Sequence, residues 1–266
     1  MDINLGRGNA AKILSRLLWT SQRLFGLRIA SFNGGDRYNA IPREADAVVV
    51  VPKSEADSFA KFVQEFEATV QKELSTTEPS LVITAENADL PAKLMVAQSA
   101  VDLISAVYSC PNGVLRMSDA VPGLVETSTS MGILKAEKGE FWAGFYVRST
   151  LDSARDDVGN LIRSVFELAG AKVSFHDSYS GWAPNPESPI LGLMKQVYQD
   201  KFGQEPKVVA LHAGLETSVV GEKYPGMDMI SLGPTINNPH SPDEKLNIPS
   251  VLVVKKFLTG LMAVLK

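Results

Sequence analysis

The chain of 266 residues carries 26 Lys and Arg against 30 Asp and Glu, three His and one Cys, for a net charge of −4. With 45% hydrophobic and 21% charged residues it excludes wholesale disorder; its length suits about two domains, and the lack of a basic block argues against a nucleic-acid partner. One Cys cannot build a disulfide framework, which fits a reducing, cytoplasmic compartment, and apolar runs such as residues 47–51 fall far below the roughly 18–20 residues of a membrane span.

Ile13, Leu14, Leu17, Leu18, Leu24 and Phe25 follow helical spacing, with Gly26 as the stop. A strand is expected over 27–32, a Gly34–Gly35 turn, and a second strand over 47–51. Ser54 is the expected N-cap of a helix to Leu74. A strand over 81–84 and a helix opened by Pro91 and reaching Val107 follow. TSTSMGILKAEKGEFWAGFYVRS reads as a hairpin turning near Lys138 and Gly139, then come a helix over 152–168 and a strand over 171–175. Helices on strand-rich halves imply a two-layer α+β domain, whose second half has the ββαβ order of a split βαβ unit. After the Pro-rich break at 181–186 the order becomes helix (189–202), strand (208–211), helix (216–220), strand (227–232) and helix (248–264). That alternation implies a parallel layer too small to close alone, the tail of a larger α/β domain.

Three stretches can carry chemistry. In SLGPTINNPHSPDEKLNIPS, His240 among prolines is either a metal ligand with Asp243 or Glu244 nearby, or part of an exposed turn whose acids open the next helix. In LHAGLETS, His212 and Gly214 lie where a strand meets a helix N-terminus, a place for an anionic group or simply a cap. In FNGGDRYNAIPREA, Asn39 sits in a loop between strands and tolerates left-handed geometry. Arg148 lies in an apolar strand, and its plain reading is a surface or ion-paired Arg. LGRGNA lacks the preceding strand and third Gly of a dinucleotide fingerprint. MDINLGRGNA also lacks the pattern of a signal peptide.

Taken in order, DINLGRGNA, NAIPREA, RMSDAVPGLVETS, VRSTLDSAR, HAGLE and GPTINNPHSPDE closely resemble the bacterial aminoacyl-histidine dipeptidases. These Xaa-His dipeptidases, which hydrolyse carnosine-like substrates, belong to the dizinc superfamily of aminoacylases and carboxypeptidase G-type enzymes. The resemblance implies a catalytic α/β domain holding two zinc ions, interrupted by a lid that makes a homodimer. It places most of that lid, expected as ferredoxin-like repeats without their first strand, over residues 1–179 and the C-terminal part of the catalytic domain over 180–266. On the matching motifs, His240 falls on the family's last metal ligand, and the His212–Gly214 turn falls where relatives hold the substrate's free carboxylate. Asn39 matches a lid asparagine that reaches a dipeptide, often in the partner protomer's site, and Arg148 matches a strand arginine that binds the substrate carboxylate. In the family a Gly-Gly-His-Ser-Gly-like word and the remaining metal ligands precede the first of these motifs. The expectation is therefore that Met1 is an internal methionine of a longer protein and that this chain alone is inactive. A non-catalytic dimerisation or regulatory module is the alternative.

Overall fold

The computed structural model describes residues 3–182, 184–209, 216–238 and 243–265. The chain divides into two units, residues 1–118 with 125–178, and residues 119–124 with 179–266.

The first unit opens with a 3-10 turn at Ile3–Leu5 and then α1 (Ala10–Phe25). Asn9 caps that helix, its side chain accepting from the Lys12 amide at 3.2 Å, and Gly26 ends it in left-handed geometry. Strands β1 (Arg28–Asp36) and β2 (Ala45–Val50) precede α2 (Ala56–Glu73) and α3 (Ala97–Ser109). They are followed by β3 (Gly113–Met117), β4 (Val125–Glu137), β5 (Glu140–Ser149) and α4 (Asp152–Leu168). All pairings in the five-stranded sheet are antiparallel, in the order β2-β1-β4-β3, with β5 on β4. β4 is its spine: β3 and β1 share one edge of it, and β5 runs along the other. Lys138 and Gly139, both at positive φ, make the expected two-residue turn between β4 and β5.

Helices α1, α3 and α4 cover one face. Leu18, Ile104, Val107 and Phe166 from the helices meet Ile29, Phe32, Met131 and Leu134 from the strands in a single buried core. Burial of each such side chain stabilises the unit by about 1.5–3 kcal/mol. Leu17, Val63, Phe66 and Val70 form a second cluster between α1 and α2. The two-layer α+β arrangement is the expected one.

Several expected boundaries move, each for a physical reason. Gly34 and Gly35 lie inside β1, which runs to Asp36, and the chain turns at 37–40 instead. A bulge separates Gly34 from Asp36, and Gly35 has φ +68°, which suits glycine. Ser54 does not cap α2; a 3-10 turn at Lys53–Glu55 precedes the helix. α3 starts at Ala97 rather than Pro91, because the Met95 amide is bonded to the Ile29 carbonyl of β1 at 2.8 Å. Residues 81–84 form no strand: Gln71 donates to the Leu81 carbonyl and the Ile83 amide donates to Glu67, so α2 takes the polar groups a ladder would need. Residues 171–175 form no strand either, and the Phe175 ring is held by the Arg163 guanidinium 4.3 Å from its centroid. β3 was not anticipated.

The second unit holds α5 (Pro189–Phe202), α6 (Glu216–Lys223), the two-residue strands β6 (Ile236–Asn237) and β7 (Lys245–Leu246), and α7 (Ile248–Val264). α5 and α7 pack through Met194, Val197, Phe257 and Leu261, with Tyr198 edge-on to Phe257 at 5.4 Å. The expected parallel layer is absent among the described residues. Residues 227–232 form no strand, since no segment pairs with them among the described residues; the Asp228 carboxylate is instead engaged at the start of α5, accepting from Ser188 Oγ at 2.6 Å and the Ile190 amide at 2.8 Å. Residues 208–209 form none, and the rest of that expected strand lies outside the described residues. α7 is apolar around much of its circumference, and Ile248, Leu252 and Met262 are exposed.

Candidate functional site

The side chains of β5 alternate between the two faces of the sheet. Phe141, Ala143, Phe145 and Val147 pack into the helix-covered core. Trp142, Gly144, Tyr146 and Arg148 therefore share the opposite face, on which none of α1, α3 and α4 lies; among the described residues it is the helix-free face of the first unit. There the Arg148 guanidinium lies over the Tyr146 ring, 4.7 Å from its centroid, a cation–π contact worth about 0.5–2 kcal/mol. Strand register sets Ser128 opposite Arg148 and Ser130 opposite Tyr146. Both serines are buried, and the Ser130 hydroxyl has no hydrogen-bond partner among the described residues. Nearby on β4 the buried Glu126 meets Arg116 Nε of β3 at 3.5 Å. A guanidinium beside a row of hydroxyls is chemically suited to a carboxylate.

Asn39 is exposed in the 37–40 turn, and its φ is not positive, so left-handed tolerance is not used. Its neighbour Tyr38 stands edge-on to Trp142 at 5.5 Å and lies against Gly144. Asn39 and Arg148 thus belong to the same face of the sheet. Gly144 and Arg148 are four residues apart, about 13 Å along a strand at about 3.3 Å per residue, against about 7 Å for an extended dipeptide.

His212, Gly214 and His240 lie outside the described residues. The 236–237 and 245–246 segments flanking residue 240 are joined in an antiparallel ladder. Asp243 and Glu244 do not open α7, whose N-cap is Asn247. Among the described residues no group of three or more His, Cys, Asp and Glu could hold a metal ion, so they do not fit a zinc site by themselves. Cys110 is buried, which pushes its thiol up to about 11 and leaves it a poor nucleophile. The LGRGNA word is structural: Arg7 donates to the Thr77 carbonyl at 2.8 Å, the Gly8 amide donates to Glu78, and Asn9 caps α1. Tyr146, Ser130, Tyr38 and Trp142 were not singled out from the sequence, since cross-strand register supplies their meaning.

Residues 1–78 match the peptidase dimerisation domain. The chain is 37% identical over 261 residues to the cytosol non-specific dipeptidase of Escherichia coli (strain K12), covering 98% of this chain and 54% of that protein. The crystal structure of aminoacylhistidine dipeptidase from Vibrio alginolyticus superposes with a TM-score of 0.93 at 38% identity, over 100% of this chain and 54% of that one. The chain is similar to these dipeptidases along nearly all of its length. It spans about half the length of these relatives. No helix among the described residues is long and apolar enough to cross a membrane.

Proposed function

We propose that the chain is the lid and C-terminal part of a metal-dependent dipeptidase acting on Xaa-His, carnosine-like dipeptides in the cytoplasm. Residues 1–179 are the lid and residues 180–266 belong to the catalytic domain. The observation that carries this reading is the Arg148 guanidinium, lying over the Tyr146 ring beside Ser128 and Ser130 on the helix-free face, in a chain similar to dipeptidases.

Arg148 takes the substrate's free carboxylate, with the His212–Gly214 turn as a second contact to it. Asn39 offers its amide to a dipeptide in the partner protomer's site; its separation from Arg148 along the sheet supports two different substrate molecules. His240 is a ligand of the family's zinc pair, which would supply an activated water for peptide hydrolysis. With His240 as the one ligand assigned to this chain, the other roles given to its residues are to bind and orient the dipeptide. The apolar circumference of α7 supports its being a core helix of a larger layer. On this reading the 266-residue polypeptide by itself does not turn over dipeptide.

Light scattering should give a homodimer, twice the 28.7 kDa chain. Calorimetric titration should show β-alanyl-histidine binding and its C-terminal amide failing to bind. A monomer that treats acid and amide alike would overturn the proposal. A homodimer that ignores both peptides would instead favour a non-catalytic dimerisation module, for which the match of residues 1–78 speaks.

A further inference from the structure

The turn that carries Asn39 does not project freely from the sheet. It lies flat on β4 and β5, and glycines make room for it. A Cβ at Gly132 would come within 2.2 Å of the Arg37 carbonyl oxygen and 2.6 Å of that of Tyr38. A Cβ at Gly144 would come within 2.7 Å of the Tyr38 ring. The first conflict is with backbone and cannot be relieved by a rotamer change; the second is with a ring that can swing. Tyr38 is held from the side by Trp142. The far end of the loop is tied to α1, where the Ala10 amide donates to the Pro42 carbonyl at 3.0 Å. The adjoining Asn9 amide group donates to the Met131 carbonyl, one residue before Gly132. The helix cap, the strand and the turn are thus fastened at one place.

We propose that Gly132 and Gly144 are positioning residues for Asn39, seating the 37–40 turn on the helix-free face so that the Asn39 amide is held at one height and direction above β5. This rests on the reading of Asn39 as a substrate contact. A side chain at Gly132 meets the backbone of the turn and lifts it, one at Gly144 pushes the Tyr38 ring off its seat beside Trp142, and either scatters the amide over many orientations. If the competent fraction falls to about one fifth, the apparent affinity of the contact falls about fivefold.

The test uses the whole chain labelled with ¹⁵N, with β-alanyl-histidine as probe and Asn39→Asp to assign the side-chain amide. In Gly132→Ala and Gly144→Ala, order parameters of residues 38–40 should fall from about 0.85 to below about 0.6, with those of β4 and β5 unchanged. The dipeptide-induced shift of the Asn39 side chain should weaken about fivefold at fixed ligand concentration. Wild-type order at 38–40 in both variants would overturn the inference, as would a loosened turn with an undiminished dipeptide shift. If Gly132→Ala does not fold, Gly144→Ala decides alone. A wild-type Asn39 amide that ignores the dipeptide removes the substrate reading and, with it, the role proposed for the glycines; the order parameters then report the seating of the turn alone.

Discussion

Lys12 offers a quantitative test of how the first unit is held together. Its ammonium reaches from α1 to the C-terminal end of α3, donating to the carbonyls of Val107 at 2.5 Å, Tyr108 at 2.7 Å and Cys110 at 2.7 Å. In Lys12→Met the part-buried carbonyls of Val107 and Cys110 lose a charged donor, at about 1.5–3 kcal/mol each. Against that, burial pushes the Lys12 amine down from 10.5 to about 8, so holding it charged at neutral pH costs about 3 kcal/mol, which methionine avoids. The net effect at pH 7 is a loss of about 0–3 kcal/mol, and the pH dependence is the sharper test. Between pH 8 and 10.5 the unfolded state keeps a proton that the folded amine has released, so the Lys12 contribution to stability rises by about 3 kcal/mol. Burial moves the Cys110 thiol oppositely, from 9.0 up to about 11; there the folded state keeps the proton, and stability falls by about 3 kcal/mol across pH 9 to 11. Urea unfolding followed by Trp fluorescence at pH 7, 9 and 10.5 should show the gap between wild type and Lys12→Met widening by about 3 kcal/mol. Cys110→Ala should instead remove the fall above pH 9. A gap between wild type and Lys12→Met that is constant with pH would refute the reasoning.

Asn9→Ala removes the α1 cap and leaves the buried Met131 carbonyl and the Asn112 side chain without their amide donor; a loss of about 2–4 kcal/mol is expected in urea unfolding, and a loss below about 1 would contradict it. The Asp228 carboxyl is held below its usual 3.8 by the Ser188 hydroxyl and the Ile190 amide. Its contribution is therefore present above that value and lost as pH falls, so Asp228→Asn should flatten the acid limb of α5 unfolding, whereas parallel limbs would count against it. Arg148→Lys keeps the charge but not the planar fork that lies over Tyr146; calorimetry should show β-alanyl-histidine affinity reduced about tenfold, near 1.4 kcal/mol, and unchanged affinity would contradict the role given to Arg148.

What the sequence made legible was mostly local. α1, α4, α5 and α7 carry their own instructions: Asn9 and Gly26 bound the first, Ser188, Pro189 and Gly203 the third, and Asn247 the last. The β4–β5 hairpin is written in Lys138–Gly139 and the β-rich flanks. Strands depend on partners elsewhere in the chain, and the misreadings gather there. Residues 81–84, 171–175 and 227–232 have strand composition, yet no strand among the described residues pairs with them, and they are held instead by Glu67 of α2, Arg163 of α4 and the Ile190 amide of α5. β3, only Gly113–Met117 and half-exposed, has little composition to show and is formed by its pairing with β4. The Gly34–Gly35 pair looked like a turn because glycine's usual role is conformational, whereas the close approach of Gly35 to the Gly132 carbonyl is a tertiary fact. The candidate site divides the same way. Arg148 and Asn39 stood out by chemistry and resemblance, while Tyr146, Ser130 and the seat under Tyr38 needed the register between β4 and β5.

The central claim is that this chain binds and orients a dipeptide without supplying a complete hydrolytic centre. The most direct measurement is to load the purified chain with zinc, remove the excess by dialysis, and record bound metal and release of histidine from β-alanyl-histidine in the same sample. Less than one zinc per chain and no histidine above the buffer blank are expected. Stoichiometric zinc together with sustained release of histidine would contradict it.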